Sequence, residues 1–429
     1  MKSPRVRAVL LALSGLFLAT AAPAQEPVDS LEARLQRAED AIERLQRQLE
    51  EQAQAKVQSR LRNRVELSGL ILINGFFNSA KVNNSDVPQF ATLLAAADTA
   101  GGLPTSHLAG QVRQTRLGIT VSEVRVLRGT MTGDLQLDFY GGRLATRNGN
   151  THPLPRIRTA TIRVDWPHIG LLVGQESPVV SPLNPVSFAS SGFPLFATSG
   201  NLWLWLPQAR LALEAGTRVR FGLQAAALAP LSPDSELTTV TAQPDRAERS
   251  GRPVLEGRLY VGWGADDTES QLGFGIHRGW MAFADSTVAS EAYTVDGRLA
   301  LGSKILIQGE AFFQGQVLAG LGGGGIAQNV TPGAAGAIIP VRSQGGWAQL
   351  VLRPSFAWEL GGGYGVDDPD DADVNQVTGR GRNVAIQAFL HWRPGGGLLF
   401  GAEGRRIETT YPAGVLTANH INAFVGLAF

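Results

Sequence analysis

From residue 65 to the C-terminus, apolar and polar side chains alternate with the period of a strand that has two different faces. Between 129 and 140, Met131, Leu135, Leu137 and Phe139 share one face. Thr132, Asp134, Gln136, Asp138 and Tyr140 share the other. Sixteen such segments can be placed, at 65–78, 111–121, 129–140, 156–166, 169–176, 202–214, 217–228, 253–264, 270–283, 290–301, 304–316, 346–353, 355–365, 382–392, 397–409 and 417–429. Segments of roughly ten residues suit a tilted strand crossing a bilayer, with hydrocarbon on one face and water on the other. The predicted fold is therefore all-β: a 16-stranded antiparallel transmembrane β-barrel over 65–429.

The connections favour this over a soluble sandwich. Those after even-numbered segments are mostly short: Pro167-His168, Glu214 to Thr217, Gly302-Ser303, Pro354, and Pro394 to Gly396. Those after odd-numbered segments are mostly long, at 79–110, 141–154, 177–201, 229–252, 317–345 and 366–381. Outer-membrane barrels have tight periplasmic turns and extended external loops, whereas a sandwich has no reason to sort its loops by parity. The final segment alternates through Asn419, Ile421, Ala423, Val425 and Leu427 to a terminal Phe429, a candidate C-terminal insertion signal. Trp166, Trp203, Trp205, Trp263, Trp280 and Trp392 lie near segment ends, where aromatic girdles meet headgroups.

The N-terminus has a different period. Lys2, Arg5 and Arg7 precede an apolar run from Ala8 to Ala22, and Ala22-Pro23-Ala24 offers small residues for cleavage. This is the pattern of a secretory signal peptide over 1–24. Val28, Leu31, Leu35, Ala38, Ile42, Leu45, Leu49 and Gln52 then recur at spacings of three and four, the seam of a short periplasmic coiled coil over 25–64. Its partners would be further copies of the chain.

Composition narrows the chemistry. With no Cys, the chain has no disulfide framework, thiolate metal site or cysteine nucleophile. The 38 Lys+Arg lose three to the leader, leaving 35 against 37 Asp+Glu, a mature charge of −2 that argues against nucleic acid as partner. No serine stands in a recognisable nucleophile setting, so no enzyme activity is expected.

The sequences VRQTRLGI (112–119), GDLQLDFYGG (133–142), PRIRTATIRVDW (155–166), LLVGQ (171–175), GGYGVDDPDD (362–371) and NHINAFVGLAF (419–429), behind an exported heptad segment, resemble the DcaP-like porins. The chain departs from that family's usual aromatic or basic residue at Thr159 and Ala160. The resemblance implies sixteen strands, a homotrimer in the outer membrane of a Gram-negative bacterium, and passive diffusion of small anionic solutes such as dicarboxylates, without a cofactor. Contacts with outer-membrane lipid and lipopolysaccharide follow from that location. A phosphate-selective porin, or an outer-membrane to cell-wall tether without transport, are the competing functions. Phosphate selectivity calls for a dense Lys/Arg staircase, and Lys304 is the clearest lysine on a strand.

A barrel of this size leaves an aqueous lumen that something must narrow. The candidate is the loop 177–201, whose Val179, Val180, Leu183, Phe188, Phe193 and Phe196 would be costly in water. Packing on a neighbouring subunit is the alternative. Alternation directs Arg116, Arg158, Arg210, Arg220, Arg258, Arg298 and Arg405 inward, among Asp134, Asp138, Glu256, Glu310 and Glu403. Arginine suits an anion filter because its charge does not titrate and its planar fork binds carboxylate twice. Pairing that merely braces the wall is equally open to each Arg. The acidic run Asp367, Asp368, Asp370, Asp371 and Asp373 lacks the glycine turn and final Glu of a calcium loop. Gly320 to Gly325 lacks the Lys-Ser/Thr of a phosphate loop. His107, His152, His168, His277, His391 and His420 have no ligand-pair spacing, and no metal site is expected.

Overall fold

The computed structural model describes residues 64–95, 98, 104–145, 151–232, 243–264, 268–284 and 286–429. Sixteen antiparallel strands form one closed sheet: β1 Arg64–Asn78, β2 in two parts (His107–Gln111 and Arg116–Val126), β3 Gly129–Asp138, β4 Arg156–Asp165, β5 Ile169–Glu176, β6 Leu206–Gly216, β7 Val219–Leu228, β8 Val254–Trp263, β9 Ser270–Phe283, β10 Ser286–Leu301, β11 Ile305–Gln316, β12 Arg342–Ser355, β13 Trp358–Pro369, β14 Arg382–Gly395, β15 Leu398–Tyr411 and β16 Gly414–Ala428. Each pairs with its sequence neighbours, and β1 closes the cylinder against β16 in the register Leu70↔Ala428 to Asn78↔His420. Closure leaves no unpaired edge, which a sheet in hydrocarbon requires. No described helix is long and apolar enough to cross a membrane.

The sequence expectation needs one correction of class. The barrel stands, but no described helix precedes it: Arg64, assigned to the end of a helical segment, opens β1, and the described helical stretches are single turns. The signal peptide 1–24 and the seam Val28, Leu31, Leu35, Ala38, Ile42, Leu45 and Leu49 lie outside the described residues. Strand six begins at Leu206 rather than at 202, so Leu202 to Trp205 belong to the loop before it.

Alternation sorts the two faces. Leu171 and Val173 on β5, Leu211 and Leu213 on β6, and Leu255 and Leu259 on β8 point outward and are exposed, while Glu256, Arg258, Gln208 and Leu206 are buried inside. On β4 a bulge interrupts the rhythm, because Leu137↔Ile157 is followed by Gln136↔Thr159 and Arg158 is the extra residue. The bulge explains how Ile157 and Ile162, of opposite parity in sequence, both face outward. It also lets Arg156 and Arg158 both bond Asp138 inside.

The connections after even strands are all short: 127–128, 166–168, 217–218, 264–269, 302–304, 356–357 and 396–397. After odd strands the long ones are 79–106, 139–155, 177–205, 229–253, 317–341 and 370–381, while 284–285 and 412–413 are tight. Trp166, Trp263, Trp280, Trp358 and Trp392 are at least partly exposed, near strand ends. Trp203 and Trp205 are not girdle residues. They sit in the 177–205 loop, where Trp203 is buried and donates its indole N–H to the Gly322 carbonyl at 2.6 Å.

Phe429 exchanges two backbone hydrogen bonds with Gly69, at 3.0 and 3.1 Å. Its ring covers that glycine, where an added Cβ would lie 2.5 Å from the ring. The terminal aromatic thus occupies the place of a missing side chain on β1. Phe429→Ala is expected to weaken barrel closure by about 1 kcal/mol, read as a lower urea midpoint in reconstituted vesicles. An unchanged midpoint would mean that the ring adds nothing to closure.

Candidate functional site

The loop 177–205 leaves β5 and runs inside the barrel, along its wall. Gln208 and Arg210 of β6 donate to the Ser177 carbonyl at 3.0 and 2.6 Å. Next, Glu256 of β8 accepts the Val179 and Val180 N–H groups at 2.7 and 3.4 Å. Glu310 of β11 accepts the Leu183 N–H at 2.6 Å and the Ser181 hydroxyl at 2.5 Å. Gln349 of β12 both accepts from the Val186 N–H and donates to its carbonyl. Glu403 of β15 accepts the Phe188 and Ala189 N–H groups and the Ser187 hydroxyl, at 2.7, 3.1 and 2.6 Å. Gln114, just before the second part of β2, accepts the Ser191 N–H at 2.6 Å and donates to the Ala189 carbonyl at 2.9 Å. A backbone without a ladder partner has its hydrogen bonds supplied by wall side chains instead.

Apolar residues of the same loop fill the gaps between it and the wall. Val179 and Val180 pack with Leu206, Leu228, Phe312 and Leu318. Leu183, Leu195 and Phe196 pack with Trp347 and Ile407. Phe196 has φ +64°, unusual for a non-glycine residue. Its ring lies on β13, where a Cβ at Gly363 or Gly365 would come within 2.9 or 2.7 Å of it. Inward glycines of the 362–371 motif therefore make the seat for this ring. Gly200, at φ +97°, brings the loop against Gly346 on β12, and a Cβ there would lie 2.2 Å from its carbonyl oxygen.

Where the loop passes β2 to β4, cations gather. Asp138 is fully buried and accepts from Arg156 at 3.0 and 2.6 Å and from Arg158 at 3.2 Å. Arg116 and Arg158 both reach Ser191, and Arg156 reaches the Gly192 carbonyl at 2.6 Å. Asp86, in the first external loop, binds Arg113 and accepts the Tyr140 hydroxyl at 2.5 Å. Arg158 stacks 4.4 Å above Trp205, and Arg156 lies between Tyr140, Phe193 and Trp205. Four guanidinium groups against two carboxylates leave this wall positive.

By burial the twelve charged candidates fall in two sets. Arg158, Asp138, Glu256, Arg258, Glu310, Glu403 and Arg405 are buried, most of them in contact with the inward loop. Arg258 pairs instead with Asp296 at 2.5 Å, and Arg405 binds the Pro88 carbonyl at 2.6 Å as well as Ser190. Arg116, Asp134, Arg210, Arg220 and Arg298 are only partly buried. Arg220 pairs with Glu269 and Arg298 donates to the Glu269 carbonyl at 3.2 Å, both toward the short-turn end. Residues that sequence reasoning missed include Arg163, Arg353 and Arg393 at that same end, and Arg113 and Arg156 at the other. Arg156 was legible two places before Arg158. Arg113 was hidden because it lies within the break in β2.

The acidic run is largely committed. Asp367 accepts the Gly325 and Ile326 N–H groups at 3.0 Å each, folding the 317–341 loop inward over the glycine run. Asp373 and Asp370 pair with Arg342 at 2.7 and 2.8 Å. The hydrogen bond from Arg342 holds the Asp373 carboxyl below the ordinary carboxylate range. Among the described residues, no group of His, Asp and Glu could hold a metal ion. His391 is buried between Glu359 and Glu403 at 3.2 Å each, and His277 lies 3.0 Å from both Glu256 and Ser290.

No family model and no curated protein sequence matches the chain. Solved structures do. The outer-membrane channel DcaP of Acinetobacter baumannii is similar over 87% of this chain and 100% of its own, with TM-score 0.64 and 16% identity. The anion-selective porin of Comamonas acidovorans covers 86% of this chain and 100% of its own, with TM-score 0.54 and 10% identity. OmpT of Vibrio cholerae covers 87% and 100%, with TM-score 0.51 and 10% identity. The class that fold and topology define is the porin-type outer-membrane β-barrel. Within it the chain's fold is similar to those of DcaP and of the two other outer-membrane barrels.

Proposed function

We propose that this barrel is a passive diffusion channel for small hydrophilic solutes, with a preference for anions such as dicarboxylates, and that the loop 177–205 is its constriction. The observation that carries the reading is the inward loop laid beside an arginine-rich wall. A solute passing the loop meets Arg116 and Arg156 on one side, with the carboxylates Glu256 and Glu310 on the other turned toward loop N–H groups. Further toward the short-turn end, Arg210, Arg220 and Arg298 are partly exposed on the inner face. Guanidinium forks in a narrow low-dielectric passage attract carboxylates more strongly than the same charges would in open water. The description of the Comamonas barrel as anion-selective supports the same direction. A homotrimer in the outer membrane, among lipid and lipopolysaccharide, belongs to this proposal.

Planar-bilayer reversal potentials in a KCl gradient test it, with anion preference expected at neutral pH. Arg220→Gln with Arg298→Gln removes two wall charges, each worth about 0.5–1 kcal/mol to a passing ion in a wet lumen. The anion-to-cation permeability ratio should fall by a factor of roughly 5–30. Cation preference of the unaltered protein would overturn the reading, and absence of any single-channel conductance would point to a tether.

A further inference from the structure

Of the carboxylates that hold the loop 177–205 to the wall, Glu403 carries the most bonds. Its Oε1 accepts the Phe188 and Ala189 N–H groups at 2.7 and 3.1 Å, and its Oε2 accepts the Ser187 hydroxyl at 2.6 Å and the Gln387 amide at 3.2 Å. His391 adds its Nε2 at 3.2 Å from Oε1. Five donors converge on a group with roughly four lone-pair sites, which leaves no place for a proton of its own. Glu403 is thus a buried carboxylate, and a buried carboxylate needs a cation beside it. Among the described residues, the cation in contact with it is His391.

The other edge of the ring is equally constrained. Nδ1 of His391 lies 3.2 Å from Glu359 on β13, which also accepts from Arg353 at 2.8 Å and from Arg393 at 3.2 Å. A neutral imidazole has one N–H and one lone pair, and a lone pair set against a carboxylate oxygen is repelled. Both nitrogens therefore donate, and His391 is an imidazolium. Its ring has no exposed surface: Phe389 stacks on it at 4.5 Å, Phe188 of the loop meets it edge-on at 4.9 Å, and Phe424 lies at 5.7 Å. The charged groups facing it are Glu359 of β13, Glu403 of β15, Arg353 of β12 and Arg393 of its own strand. The loop and β16 present only Phe188 and Phe424. Arg405 and His420, the next inward pair toward the long loops, are bonded to Pro88 and Ser190 and to Asn78. His277, behind Glu256, differs: Ser290 spends its hydrogen on the Val317 carbonyl and accepts from Nε2, so the proton between Nδ1 and Glu256 can sit on either partner.

We propose that His391 is a positioning residue of the constriction, and that the proton it carries couples the seat of the loop to pH. While the ring is protonated, Glu403 is neutralised and stays turned toward Ser187, Phe188 and Ala189. When the proton leaves to lumen water, Arg353 and Arg393 still answer Glu359, but Glu403 becomes a buried charge facing a lone pair. Water entering beside it relieves that cost, and the segment 187–189 comes away with Phe188 drawn off the ring. The passage is narrow while the imidazolium persists and widens as pH rises through its titration. This rests on the reading of the loop 177–205 as the constriction.

The test uses the full-length barrel reconstituted in lipid. Nitrogen-15 spectra of histidine-labelled protein, assigned by subtracting the His391→Gln spectrum, should show two protonated ring nitrogens at neutral pH. Single-channel conductance should rise over the pH range in which those resonances change. His391→Gln should have at neutral pH the wider conductance and should lose the pH step. Glu359→Gln, which leaves Glu403 and the loop in place, should move the step to lower pH, and it keeps the idea testable should the histidine variant fail to fold. A neutral ring at neutral pH, a step that survives in His391→Gln, or a step unmoved in Glu359→Gln would overturn the proposal. Glu403→Ala separates the two levels. If it widens the channel and His391→Gln does not, the proton coupling is wrong and the constriction stands; if neither widens it, the loop is not the constriction and the proposal falls with it.

Discussion

Asp138→Ala is expected to destabilise the protein by about 3–5 kcal/mol, the range for removing one partner of a buried charge network. Asp138 has no exposed surface, and its two oxygens are the carboxylate partners of Arg156 and Arg158. It also accepts the Tyr140 N–H at 3.0 Å. Without it, two guanidinium groups face each other across a low-dielectric pocket, with only the Ser191 and Gly192 carbonyls to answer them. Water entering from the lumen would place the loss at the lower end of the range. Asp138→Asn keeps the shape but only one acceptor oxygen, with an N–H2 group in place of the other, and should fall between the unaltered protein and the alanine variant. Urea unfolding in vesicles, followed by tryptophan fluorescence, measures both. A loss under about 1 kcal/mol for the alanine variant would mean that the pocket behaves as open solvent.

The combined change Glu256→Ala, Glu310→Ala and Glu403→Ala should detach the inward loop and raise single-channel conductance severalfold while leaving the barrel assembled. Each of these carboxylates accepts at least two hydrogen bonds from the loop, and hydrogen bonds to charged groups contribute about 1.5–3 kcal/mol each. They are the acceptors of the Val179, Leu183 and Phe188 N–H groups. The strands themselves keep their ladders, since the lost bonds are side-chain bonds, to the loop and to His277, Gln387 and His391 on the wall. Because three negative charges leave the lumen, anion preference should strengthen even as the passage widens. An unchanged conductance would show that the apolar contacts of Leu195 and Phe196 suffice to hold the loop.

The barrel was legible in the chain because strand period and loop parity are local properties. Each inward or outward position is set by its own neighbours, and a β-strand reads out every second residue wherever it lies. Thus the sixteen segments and the short and long connections could be read residue by residue. The bulge at Arg158 left a trace too, in the mismatched parity of Ile157 and Ile162. Helical heptads before the barrel are equally a local pattern, but a seam is stable only through partner helices, and the described fold begins with a strand at Arg64.

What only the tertiary structure decided is the use of the charges. Glu256, Glu310 and Glu403 are separated from their loop partners by 77, 127 and 215 residues, and nothing in their local sequence distinguishes a pore charge from a loop anchor. Likewise nothing in the segment 355–365 marks Gly363 and Gly365 as a seat until Phe196 is seen lying on them. Alternation assigns a side chain to water or to lipid. Which group then meets it across the lumen depends on the path of a loop anchored largely by hydrogen bonds to distant strands.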